Sequence, residues 1–212
     1  MKINKISLRY IAIASLVAAS VFIAVNCASD KDAPKPVVFP PSHPRLLYTD
    51  EETYALRNSP DMEKQRKSFI EKAEKVLGGK LFVPKTGGQW IFYYACPKDG
   101  SRLEAESGDV HVCLKCKAKY SDERTRAAYV TQQSGKLEEQ MNTLALAYAA
   151  SGENKYAIPV REAFLELAKV YPTLGRHDRW GRTGWLAVVG GRRYCQHLDE
   201  AVSAIKLAKI YD

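Results

Sequence analysis

The sequence predicts an all-α fold of antiparallel helix pairs, interrupted by one small, irregular, Cys-rich insert. Three observations predict it. Successive stretches carry apolar residues at three- and four-residue spacing, the period of an amphipathic helix. The Gly-, Pro- and Asn-containing breaks between them are short enough to fold consecutive helices back on one another. Between residues 90 and 121 the periodicity gives way to polar turns holding three of the five cysteines. Apolar content of 46% against 26% charged residues supplies a real core and excludes a disordered or fibrous chain.

Residues 1–27 stand apart from that fold. Lys2, Lys5 and Arg9 precede an apolar run from Tyr10 to Val25, with no acidic residue before Asp30. This is a signal-peptide pattern, and the run falls short of the roughly 20 apolar residues a membrane span needs. Cys27-Ala28-Ser29 resembles a bacterial lipoprotein site, which would lipidate Cys27. Cleavage after Ser29 with plain secretion is the rival, and both stay open. The expected location is the periplasm or cell envelope, with membrane contact only through a lipid anchor at Cys27. Residues 28–44 form a Pro-rich tether. Residues 45–212 are the folded part, with the insert at 90–121.

Thr49 caps a short helix, Asp50 to Asn58, whose first turn is acidic where the helix dipole favours it. Ser59-Pro60 starts the next helix, with Met62, Phe69, Ile70, Ala73, Val76 and Leu77 on one face and Gly78-Gly79 as the stop. Lys80 to Gly88 reads as turn or short strand. Asp122 opens a long helix to about Ala150. Its inner face carries Tyr129, Leu137, Met141, Leu144, Ala145 and Tyr148, and Ser134-Gly135 is a kink site. Ser151 to Asn154 is a tight connection to a helix ending at Tyr171-Pro172, with Pro159 bending its first turns and Phe164, Leu165, Leu167 and Ala168 facing inward. The last helix runs from Gln196 to Tyr211, with Leu198, Val202, Ile205, Leu207, Ala208 and Ile210 as its apolar residues. Asp212 ends that helix with no cap or polar tail, so the sequence is expected to be a fragment.

Two stretches carry chemistry. Cys113 and Cys116 form a C-x-x-C pair, which can reach one metal ion from a single turn. Cys96-Pro97-Lys98-Asp99 repeats the spacing with a carboxylate in the second position. The expected ligands of a structural zinc are therefore Cys96, Asp99, Cys113 and Cys116, with His111 as an alternative to Asp99. A Cys96–Cys113 disulfide is the competing reading for an exported chain. A redox C-x-x-C lacks the βαβ surroundings it would need. The second stretch, Arg176 to Tyr194, interleaves five arginines with Trp180, Trp185 and Tyr194. Guanidinium forks bind carboxylate or sulfate oxygens, and flat aromatics stack on sugar faces or on bases. Arg179, Trp180, Arg182, Trp185, Arg192 and Gln196 are the expected binding residues. Export favours acidic polysaccharide over nucleic acid, and a formal charge of +8 fits an anionic partner but equally fits solubility alone. The competing reading is a structural loop with its tryptophans in the core. Gln196, His197, Asp199 and Glu200 read as one polar helix face.

Several of these pieces fall in one order. His43-Pro44-Arg45-Leu46-Leu47-Tyr48-Thr49 resembles the opening of the heparinase II/III-like (alginate lyase-like) polysaccharide lyases. Tyr93-Tyr94-Ala95-Cys96-Pro97-Lys98-Asp99-Gly100 with Cys113-Leu114-Lys115-Cys116 resembles an insert in a branch of that family. Leu144 to Tyr148 with Tyr156-Ala157 and the helix to Pro172 resembles its first toroid hairpin, and Gly191-Arg192 with Gln196 to Ala201 the next helix start. The resemblance implies part of an incomplete (α/α) toroid and an activity of β-elimination on uronate-containing polysaccharide. Members carry Asn, His and Tyr catalytic positions beyond the helix beginning near Gln196, so none is expected in this chain. A different class, an envelope-anchored helical-repeat binding or scaffold protein, stands as the alternative.

Overall fold

The computed structural model describes Leu46 and residues 48–212 apart from Gly108. The signal segment, the tether, Cys27 and most of the opening His43–Leu47 motif lie outside the described residues. Helix α1 (Asp50–Asn58) begins with a complete capping box. The Thr49 hydroxyl accepts from Glu52 N at 3.2 Å, and the Glu52 carboxylate accepts from Thr49 N at 2.8 Å. A 3-10 turn, Pro60–Met62, leads into α2 (Glu63–Leu77). The chain after Gly79 is extended without pairing as a strand, and its Leu81 and Val83 enter the core.

Helix α3 (Glu123–Ser151) starts where Asp122 accepts from the Thr125 N–H at 2.9 Å and from its hydroxyl at 2.7 Å. The helix runs unbroken through Ser134-Gly135. A single helical Gly costs about 1 kcal/mol, and the burial of Leu137, Met141 and Leu144 immediately after it outweighs that cost. Gly152 takes a left-handed φ of 73° and donates to Tyr148 O at 2.7 Å, closing the helix. Helix α4 (Asn154–Val170) follows at once and continues through Pro159. So close to the start, the missing N–H forfeits one bond, that to Lys155, and the helix survives. Helix α5 (His197–Tyr211) comes last.

Helix α3 is the beam of the structure, packing against α1, α2, α4 and α5. Leu137, Met141, Leu144 and Ala147 meet Ala73 of α2 and Tyr156, Val160, Ala163 and Leu167 of α4 in one core. The expected inner faces of α4 and α5 are corrected in part. Leu165, Leu198, Val202 and Ile205 are exposed, as is Tyr148 of α3. Helix α5 instead turns Ser203 and Ile210 inward, because a buried polar group on α3 has to be met there.

The insert is not irregular. Strands β1 (Leu103–Ser107), β2 (Val110–Cys113) and β3 (Lys119–Tyr120) form an antiparallel meander in that order. Leu103 lies opposite Cys113, and His111 opposite both Ala105 and Tyr120. Tyr94, Cys96, Leu103 and Cys113 pack with Ala128 of α3 into a second, smaller core.

The buried polar group is Glu138. Its Oε1 accepts from Ser203 Oγ at 2.6 Å and Tyr194 Oη at 2.8 Å, and pairs with Arg193 Nη1 at 3.2 Å. A buried carboxylate is tolerated only with such a complement of partners. Burial first, and then the Glu138 charge, push the Tyr194 phenol well above its usual range, so it remains a donor. Glu138→Ala strands the Arg193 charge and is expected to cost about 3 kcal/mol or more of stability. Thermal unfolding of the variant against wild type checks this, with Glu138→Gln expected to lose less.

Candidate metal centre

Two turns of matched geometry build the site. In Cys96-Pro97-Lys98-Asp99-Gly100, Gly100 N donates to Cys96 O at 2.8 Å, and Cys96 N donates to Ser101 O at 2.8 Å. In Cys113-Leu114-Lys115-Cys116-Lys117, Lys117 N donates to Cys113 O at 3.1 Å, and Cys113 N to Ala118 O at 2.9 Å. The residue after each second ligand position is left-handed, with φ 69° at Gly100 and 59° at Lys117. Lys117 is the described non-glycine residue with positive φ, a strained conformation that the turn requires. The β1–β2 pairing that sets Leu103 opposite Cys113 brings the two turns face to face.

One ligand atom from each of Cys96, Asp99, Cys113 and Cys116 lies within 4.8 Å of all the others, so the cluster can hold a metal ion. Cys96 Sγ is 3.6 Å from Cys116 Sγ, and Cys113 Sγ is 3.6 Å from both carboxylate oxygens of Asp99. Supporting donors surround the sulfurs. Cys116 N donates to Cys113 Sγ at 3.3 Å, and Tyr120 Oη sits 3.1 Å from Cys96 Sγ.

The hydrogen bonds and charges around these groups bias their titration in opposite directions. Burial pushes the Cys96 thiol up, but the Tyr120 hydroxyl and the N–H groups of Lys98 and Asp99 overcome it and hold the thiol below its usual range. The Ser101 backbone N–H leads in holding the Asp99 carboxyl down to about 2. Cys116 keeps an N–H bond from Ala118 that favours its thiolate, yet burial and the neighbouring Cys113 and Cys96 sulfurs raise it to about 11. Asp99 and Cys96 are thus biased toward their anionic forms and Cys116 away from its own, a conflict that a cation held between them would relieve.

His111 is no member of this set. It is buried 1% exposed, with Nδ1 2.9 Å from Tyr94 Oη and its ring 4.9 Å from that of Tyr129. Burial lowers its pKa, keeping the ring neutral inside an aromatic packet. Its alternation in β2 explains the exclusion, since His111 and Cys113 share one face but lie two residues apart along it. The competing Cys96–Cys113 disulfide is not formed: the four described cysteines are free.

The expected binding residues separate into groups. Arg179 lies over the Trp180 ring at 4.3 Å and Arg182 over the same ring at 4.8 Å. Arg182 Nε also donates to the buried Asp178 at 2.6 Å. Trp180 and Trp185 are exposed at 58% and 84%, which rules out tryptophans buried as core. Arg192 is occupied structurally, donating to Leu174 O at 2.6 Å, and Gln196 is the N-cap of α5. Sequence reasoning missed Trp90, whose ring lies 5.3 Å from the Arg179 guanidinium. Glu200, read as part of a polar helix face, instead turns its carboxylate to the loop and accepts from the Arg193 and Tyr194 N–H groups at 3.1 and 2.9 Å. No family model matches this sequence, and no curated protein shows significant similarity to it.

Asp99→Ala is expected to lower the bound-metal content of the purified protein, while His111→Ala keeps the metal and lowers only the melting temperature. Elemental analysis alongside thermal unfolding checks both. Equal metal content in wild type and Asp99→Ala would remove Asp99 from the ligand set.

Proposed function

We propose that this chain is a zinc-stapled helical module of an exported polysaccharide lyase-like protein, holding uronate-containing polysaccharide on the surface around Trp180. Zinc fits the donor set. A tetrahedral zinc with sulfur at about 2.3 Å spaces its sulfurs about 3.8 Å apart, close to the 3.6 Å between Cys96 and Cys116. Three thiolates and a carboxylate suit a borderline-soft ion, and four protein ligands leave no position for substrate. The zinc is therefore structural, and the helix pairs around α3 are read as part of an incomplete toroid.

The observation that carries the ligand is Trp180, 58% exposed with two guanidinium groups on its ring. Stacked guanidiniums are pre-organised to meet carboxylate or sulfate oxygens. Bond cleavage is assigned to groups outside this chain. β-Elimination needs a Tyr or His within reach of a sugar proton, and the hydrogen-bonded Tyr94–His111 pair is buried.

The zinc-loaded chain is expected to bind alginate or heparan sulfate oligosaccharides, and Trp180→Ala to weaken binding roughly tenfold, the scale of one lost stacking platform. Titration calorimetry measures it. Unsaturated uronate absorbance produced by this chain alone would overturn the placement of the chemistry elsewhere.

A further inference from the structure

Trp180 is one end of a longer series of stacked groups. Arg124 lies over the Tyr93 ring at 3.4 Å, and Tyr93 meets Trp90 edge-on at 5.4 Å between centroids. Arg179 then sits over Trp90 at 5.3 Å and over Trp180 at 4.3 Å. Guanidinium and aromatic groups from the insert, the first turn of α3 and the basic loop thus form one continuous row.

Two members of that row are electrostatically unspent. Every other described arginine that the row touches has a carboxylate: Arg182 pairs with Asp178. Among the described residues, neither Arg124 nor Arg179 has an ion pair or a hydrogen bond to an acid. Arg124 also stands in the first turn of a 29-residue helix, where the dipole disfavours a cation. An uncompensated charge at a disfavoured position, held flat on a ring, is built for an incoming anion and not for stability.

We propose that Arg124 and Arg179 are two anion subsites of one track for a linear acidic polysaccharide, with Trp90 and Tyr93 as the apolar floor between them. This rests on the polysaccharide reading of Trp180 and extends it across the insert. The polysaccharide reading of Trp180 makes the ligand an acidic glycan. The two guanidiniums supply N–H groups that suit carboxylate or sulfate, and the rings between them supply apolar surface for the sugars. Single-stranded nucleic acid, which would also use such rings, is the outcome that the oligodeoxynucleotide measurement below separates. Acidic groups repeated along a chain would meet both subsites only when the chain is long enough.

The test is binding of defined-length alginate oligosaccharides to the full zinc-loaded chain, measured by Trp fluorescence at two salt concentrations. Arg124 is exposed, and circular dichroism with metal content confirms that Arg124→Ala is folded. The expected result is a loss of about tenfold for long oligosaccharides, the scale of a charged hydrogen-bonded contact, with little change for the shortest that bind. The salt slope should also shallow. Arg124→Lys should recover only part of the loss. Equal losses at every length, or none at any length while Trp180→Ala still weakens binding, would overturn the track and leave the Trp180 site standing. Wild-type protein that binds no oligosaccharide, or binds oligodeoxynucleotide as tightly, would overturn the polysaccharide reading itself.

Discussion

The arrangement of the second half of the chain follows from one buried carboxylate. Glu138 projects from α3 into a place water does not reach, where an unpaired charge is costly and a fully bonded one is tolerated. Its partners, Arg193, Tyr194 and Ser203, come from the end of the basic loop and the second turn of α5. Meeting Glu138 therefore fixes how both elements dock on the beam. It also explains why α5 turns a serine inward and leaves Leu198, Val202 and Ile205 outside. The glycines of the loop's other contact complete the docking: Gly88 N donates to Arg193 O at 2.8 Å, and a Cβ at Gly88 would fall 2.7 Å from the Thr131 nitrogen.

Much of this was legible before any coordinates. The Thr49 and Asp122 caps, the Gly152 stop and the helix pair on either side of it follow from local chemistry that the tertiary structure does not overrule. The cysteine spacing picked out Cys96, Asp99, Cys113 and Cys116, and the structure brings the four together. Each C-x-x-ligand turn is a local geometry that spacing determines, while the β1–β2 pairing brings the two turns face to face. His111 shows the limit. Its distance along the chain suited a ligand, but its place on the face it shares with Cys113 depends on strand pairing, and β2 sets it opposite Ala105 and Tyr120, beside the Tyr94 and Tyr129 rings.

What stayed hidden was long-range. Glu138 is one glutamate among many in an ordinary helix, and nothing near it marks it as buried. The same holds for Trp90 beside Arg179 and for Arg124 on Tyr93, each a contact between segments far apart in sequence. Periodicity also erred on α5, whose apolar residues are spread around the helix. An amphipathic pattern names a core face only when one face is clearly richer, and here a hydrogen bond to Glu138 decided the orientation.

The insert could not hold its position by packing alone. Four of its residues share a small core with Ala128 of α3, and β3 is two residues long. A body of that size gains from a staple, and the twin turns supply a site for one. That site lies three residues from Tyr93 and six from Trp90, so an ion held there would set where the insert's half of the stacked row can be. Glu138 sets the other half, through Arg193 and the loop that carries Arg179 and Trp180. Both supports bear on α3, and their elements meet where Trp90 faces Arg179 and where Gln89 Nε2 donates to Asp178 O at 3.3 Å. A surface assembled at the junction of two separately anchored pieces keeps its shape only while both anchors hold, so an ion bound between the twin turns would bear directly on the stacked row.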